Sequence, residues 1–429
     1  MKIIKRFTIV IILNLIITMI ISIVPMERSF LKKCVYAAET ADYKNNITMN
    51  NETTQNQEQS KGNLDSKVSI DDLGGSAKEQ IDSLYKYINN MKTDVELMQN
   101  LNPVDYIKTY IANGKGNLSF DVIGKAVLSL VFKEVKSVLK LIISVVTIAI
   151  ICSLLKNLQD AFSGENISQV AFYACYALII VVLAKSFIIS ISVAKEVISN
   201  ISDFMSALLP ILVTMIGLTG GVAQATTLDP IVLACVVFIP KVYSNIIIPM
   251  ILMGFMLEFA NNLSTEHKIT NLCGLLKQCT LWFQGIIITI FIALLTIRGI
   301  TSKTIDAVTL KTAKFAIDNF IPIVGKTFSD AIASVAGYSL IIKNAISSMG
   351  LVVIVLLLLY PIVKLVLMTF IYKLSAALVE PISDSRITKC LESAASSMIL
   401  ITSCVLCVSL MFFILIAIMA ASGSYVVGG

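Results

Sequence analysis

Residues 349–372 read MGLVVIVLLLLYPIVKLVLMTFIY, an apolar run interrupted only by the charge of Lys364 and the backbone of Pro361. At about 1.5 Å of rise per residue, a helix of this length crosses the ~30 Å hydrocarbon layer of a bilayer. In lipid the helix also satisfies every backbone N–H and C=O within itself, which no open extended segment does. The run therefore sets the class: all-α, a polytopic helical membrane protein. Comparable runs extend on both sides of it, at Val138–Leu155, Val170–Val193, Phe204–Thr219, Leu228–Phe259, Leu281–Ile297 and Met398–Ala421, making seven expected crossings in all. The runs around Pro240 and Pro249 and around Pro361 exceed one crossing, so tilt, kink or protrusion is expected there.

Composition agrees with this class. Of 429 residues 56% are hydrophobic and only 14% charged, against roughly 25% charged in soluble domains. The net charge of +6 is scattered between apolar runs, with no dense basic block and no interleaved aromatics. It reads as topogenic; the bilayer is the expected partner and nucleic acid is not. The nine cysteines are odd in number, and five of them lie inside apolar runs, so a disulfide framework is not expected. Cys404-x-x-Cys407 sits mid-span without further ligands and reads as apolar packing. No metal or cofactor is expected.

Lys2, Lys5 and Arg6 precede the apolar run Phe7–Val24, the order of an export signal. Residues 1–38 are read as a signal sequence cleaved near Ala37 or Ala38, with an uncleaved anchor as the alternative. Residues 39–75 are polar and poor in aliphatic side chains, a disordered linker. Ile81, Leu84, Tyr85, Ile88, Met91 and Val95 recur at helical spacing, which predicts a small helical extracytoplasmic region over 76–136. Residues 137–200 then hold the first two spans, and 422–429 form a short tail. Arg298, Lys303, Lys311 and Lys314 mark a cytoplasmic loop by the positive-inside bias. Counting from it puts residues 39–136 outside and the C-terminus in the cytoplasm.

Two stretches match in order of features: 203–298 and 315–421. Leu209-Pro210-Ile211 parallels Ile321-Pro322-Ile323, and Lys268-Ile269-Thr270 parallels Arg386-Ile387-Thr388. An internal repeat is inferred, in which each unit has a Pro/Gly-interrupted element, a long span, a short loop and a final span. Interrupted segments at corresponding places point to a transport pathway. The candidate positions are Pro210, Gly217, Gly220 and Gly221 in one unit and Pro322, Gly325 and Gly337 in the other. Each taken singly reads first as a kink or a close helix contact, and only their coincidence in both units points to a pathway; whether 204–227 and 315–345 cross or re-enter stays open.

Lys185 and Lys364 are the candidate intramembrane charges, since a charge at a helix centre costs about 2.5–3.5 kcal/mol on insertion scales and so faces protein or water. Lys185 is near enough to its span's end to snorkel; Lys364 is deeper and reads as inward-facing, pairing with a partner subunit. His267 is the one histidine and lacks a second at zinc-helix spacing. No nucleophile with a nearby base, no pair of intramembrane carboxylates and no phosphate-cradling loop stands out, so the chain reads as non-enzymatic.

Val308-Thr309-Leu310-Lys311-Thr312-Ala313-Lys314-Phe315, with Asn319-Phe320-Ile321-Pro322-Ile323-Val324-Gly325-Lys326 and Phe328-Ser329-Asp330-Ala331, closely resembles the stage III sporulation protein AE family of endospore-forming bacteria. Gly220-Gly221-Val222-Ala223, Thr265-Glu266-His267-Lys268-Ile269-Thr270 and Phe370-Ile371-Tyr372-Lys373-Leu374-Ser375 support it. The resemblance implies a subunit of the channel or export assembly between mother cell and forespore, in the mother-cell membrane, needed after engulfment for late forespore gene expression. It implies as partners the other stage III sporulation A-operon proteins, including an ATPase and ring-forming subunits, and stage II sporulation protein Q; an oligomer is open. It implies no catalytic residues. A self-sufficient small-solute carrier and a membrane-anchored scaffold are the competing expectations.

Overall fold

A computed structural model describes residues 75–94, scattered positions between 106 and 154, and the stretches 165–263, 269–320 and 325–422. The signal sequence, nearly all of the linker, most of the tail, His267 and Pro322 lie outside the described residues. Every described residue belongs to one compact unit, Ile70–Gly429.

Among the described residues each regular element is helical: α1 (Gly75–Asp94), α2 (Glu165–Leu218), α3 (Val222–Val242), a π turn (Tyr243–Ile247), α4 (Ile248–Leu263), α5 (Thr270–Phe320), α6 (Gly325–Val379) and α7 (Ser385–Ala421). Five stretches of these are long and apolar enough to cross a membrane: Tyr173–Leu218, Pro230–Leu263, Thr270–Ile297, Ser334–Val379 and Ser385–Ala421.

The expected crossings Val170–Val193 and Phe204–Thr219 are corrected: both belong to α2, one helix of 54 residues. Between them Ala194, Val197, Ile198 and Ile201 are fully buried, while Lys195, Glu196, Ser199 and Asp203 are exposed. An average over sequence sees that mixture as a polar gap. A helix sorts it onto two faces, and no Gly or Pro stands between 194 and 209 to stop it.

The helices run back and forth between two ends of a bundle. At one end Tyr176 donates to the Phe259 carbonyl at 3.2 Å, Asn262 Nδ2 donates to Ser393 Oγ at 3.1 Å, and Ser153 donates to the Ile382 carbonyl. At the other, Gly350 of α6 lies against Leu208 of α2 and Ile416 of α7. There too Tyr106 and Ser348 hydroxyls share a hydrogen bond of 2.9 Å, and Lys343 reaches the carbonyls of Ala420 and Ser422. Tyr106 and the end of α7 thus sit at the same end of the bundle.

In α1, Ile81, Leu84 and Ile88 follow the predicted spacing and are at most 1% exposed, packed towards α2. Tyr87 on the same helix is pushed up to about 12, first by burial and then by the carboxylate of Asp203 on α2. The long run holding Pro240 and Pro249 deforms as expected of prolines in a helix. Pro249 has no N–H, and just before it the Ile248 N–H reaches back to the Tyr243 carbonyl, closing a π turn that shifts the ladder by one residue.

Each of the two proposed repeat units holds one helical hairpin. The α4–α5 and α6–α7 hairpins both turn at the same bundle end. The first is closed by Asn261 Oδ1 accepting from the Ile269 N–H at 2.7 Å, the second by Asp384, which caps α7 through the Arg386 N–H at 2.8 Å.

Candidate functional site

The break after α2 is a Schellman closure. Gly220 stands at φ 89, a conformation open to glycine and costly for other residues. Its N–H bonds the Gly217 carbonyl at 3.1 Å, and the Gly221 N–H bonds the Ile216 carbonyl at 3.0 Å. Gly221 then accepts from the Ala225 N–H at 2.8 Å and opens α3. Pro210 is not at this break. It lies inside α2, where its missing N–H deprives the Ser206 carbonyl of a partner without ending the helix. In the second unit α5 ends at Phe320 and α6 begins at Gly325, with Pro322 between them. Gly337 lies within α6 with open space where a Cβ would stand. Among the described positions, Gly217, Gly220 and Gly221 form one turn, Gly325 starts a helix, and Pro210 and Gly337 are intrahelical.

Of the two charges singled out by sequence, Lys185 is exposed on α2. Lys364 is half-buried on α6, donating to the Tyr360 hydroxyl one turn earlier at 3.1 Å, with its ammonium 5.4 Å from that ring's centroid. Sequence reasoning missed three other polar sites. Lys343, fully buried, donates to the last carbonyls of α7, where a cation meets the negative end of the helix dipole. Glu258 of α4 pairs with Lys277 of α5. Gln284 of α5 accepts from Ser403 Oγ at 2.8 Å and donates to Cys404 Sγ at 3.2 Å, with Cys407 close by. The Cys404-x-x-Cys407 pair thus takes part in an interhelical amide clamp. The described residues hold no cluster suited to a metal. The cue for all three was a polar residue spaced on the apolar face of a long span, visible only with the partner helix known.

The most unusual surface is on α2. From Phe187, stacked on Phe255 of α4 with centroids 3.7 Å apart, to Leu208, against Gly350, the helix exposes Ser192, Lys195, Glu196, Ser199, Asp203 and Ser206. Only Ile188 and Ile189 are exposed apolar residues in that interval. The arrangement offers structural clamps inside and an exposed, charged face outside.

The fold and this site define a class: a polytopic α-helical membrane protein whose interior polar groups join helices. The chain belongs to the stage III sporulation protein AE family, whose model matches residues 101–423. It is similar to stage III sporulation protein AE of Bacillus subtilis (strain 168), 31% identical over 300 residues that cover 70% of this chain and 75% of that protein. No solved structure matches it.

Proposed function

We propose that the chain is a non-enzymatic multi-pass subunit of a channel or export assembly in the mother-cell membrane around the forespore, needed after engulfment for late forespore gene expression. Its partners in this reading are the other stage III sporulation A-operon proteins, among them an ATPase and ring-forming subunits, and stage II sporulation protein Q. The supporting observation is family membership over residues 101–423 in a chain whose described part is a bundle of membrane-length helices. Two polar pairs inside that bundle, Glu258–Lys277 and Gln284–Ser403, join neighbouring helices, and in this reading the energy for transport is supplied by a partner. Deleting the gene in the native organism should arrest development after engulfment, scored by spore counts and a forespore reporter. Normal spores with an active forespore would sink this reading.

A further inference from the structure

Pro230–Leu263 is one membrane-length stretch, yet its two halves are held unequally. The upper half, α4, is anchored to three helices. Phe255 stacks on Phe187 of α2 with centroids 3.7 Å apart, the Phe259 carbonyl accepts from Tyr176, Glu258 pairs with Lys277 of α5, and Asn262 donates to Ser393 of α7. The lower half, α3, is held more thinly. Across 230–242 only Val232, Val236, Ile239 and Pro240 are buried, while Val237, Phe238 and Lys241 are exposed. Between the halves stands the π turn Tyr243–Ile247, bracketed by Pro240 and Pro249. Neither proline has an N–H, so the carbonyls of Val236 and Asn245 lack the donor four residues on and the helix bends most easily here.

The Val236 carbonyl is met from another helix: Ser202 Oγ of α2 donates to it at 3.1 Å. A helical serine ordinarily bonds its own helix one turn back, as Ser190 and Ser206 do with the carbonyls of Ser186 and Ser202 at 3.0 and 2.9 Å. The same local acceptor, the Ile198 carbonyl, is open to Ser202, which reaches across instead. We propose that α3 is a hinged arm of the bundle, swinging as one body about the π turn, with Ser202 as the latch that holds it to α2. In the latched state the hydroxyl takes the place of the N–H that Pro240 lacks. In the released state it rotates to the Ile198 carbonyl, and the Val236 carbonyl is left to water. Release therefore costs one carbonyl's partner and a thin apolar stripe, while α4 keeps its anchors. At its other end α3 leaves α2 through Gly220, at φ 89, and Gly221, a second place for the backbone to turn. This motion belongs to the bundle itself and does not depend on the sporulation role.

Hydrogen exchange of the full chain in detergent, read segment by segment, tests it. In the parent chain the amides of Val222–Val242 should exchange together, and faster than those of Ile248–Leu263. Ser202→Ala should speed exchange across Val222–Val242 by roughly two- to tenfold and leave Ile248–Leu263 unchanged. Ser202→Thr keeps the hydroxyl and should exchange as the parent does. Pro240→Ala restores an N–H for the Val236 carbonyl, so adding Ser202→Ala to it should change exchange by less than about twofold. Equal acceleration of α3 and α4 would overturn the hinge. No acceleration in Ser202→Ala, or the full acceleration with Pro240→Ala present, would overturn the latch. If Ser202→Ala alone does not fold, recovery of the fold by Pro240→Ala supports the latch and continued failure overturns it.

Discussion

Helices α2 and α7 are both long and apolar, yet they sort their polar residues oppositely. From Ala394 onward α7 buries Ser397, Thr402 and Ser409 and exposes Leu410, Phe413, Ala417 and Ala421. Thr402 and Ser409 hydroxyls bond carbonyls one turn back, at 2.9 and 2.5 Å, so burial leaves them satisfied. That is a helix whose outside is suited to lipid. Over the same depth α2 buries Phe187, Ala194, Ile198 and Phe204 and exposes lysine, carboxylate and serine. Its outside is suited to water or to another protein. Equal hydrophobicity along the chain therefore conceals two different neighbours.

The comparison breaks most sharply on topology, where the effect is all-or-none. If α2 is one pass, Ser83→Cys in α1 and Ala421→Cys at the end of α7, both exposed positions, should label from the same side of sealed vesicles. Labelling from opposite sides would divide α2 into two crossings. Next in size is a lysine scan. Leu410→Lys, placed against lipid, should cost about 2.5–3.5 kcal/mol in an insertion assay, whereas Ser199→Lys should cost well under half of that. Equal penalties would mean that α2 also faces lipid.

A smaller loss is expected where the two helices meet. A Cβ on Gly350 would lie 2.7 Å from Leu208 Cδ2 and 3.5 Å from Ile416 Cδ1, so Gly350→Ala should lower stability in detergent by about 1–3 kcal/mol. Leu208→Ala in the same chain should recover part of it, and no recovery would show that α2 does not pack there. Lys343→Met removes the donor to Ala420 and Ser422 and should cost about 1–3 kcal/mol, read as faster hydrogen exchange confined to the end of α7. The smallest effect is Thr402→Val, which keeps the shape of a buried side chain and loses one local hydrogen bond. A change of about 0.5–1 kcal/mol in thermal unfolding is expected.

The helical class, the long proline-containing run and the α4–α5 and α6–α7 hairpins were legible in the sequence, because length and hydropathy are properties of a segment by itself. The break at Gly220–Gly221 was legible too, since a positive φ narrows the choice of residue. The crossing count was not. The run VAKEVISN averages to a polar gap, and only its helical sorting shows one side packed and one side bare. Lys343 escaped attention because its partners, the carbonyls at 420 and 422, are far away in the chain.

Sequence by itself determined that this chain belongs among membrane helices, since the cost of placing backbone and charge in hydrocarbon acts residue by residue. Tertiary structure alone decided that α2 is continuous, that Tyr106 and the end of α7 share one end of the bundle, and that among the described residues a charged face is exposed between Phe187 and Leu208. Those depend on which helix face meets which neighbour, a relation between distant segments that segment-by-segment hydropathy does not carry.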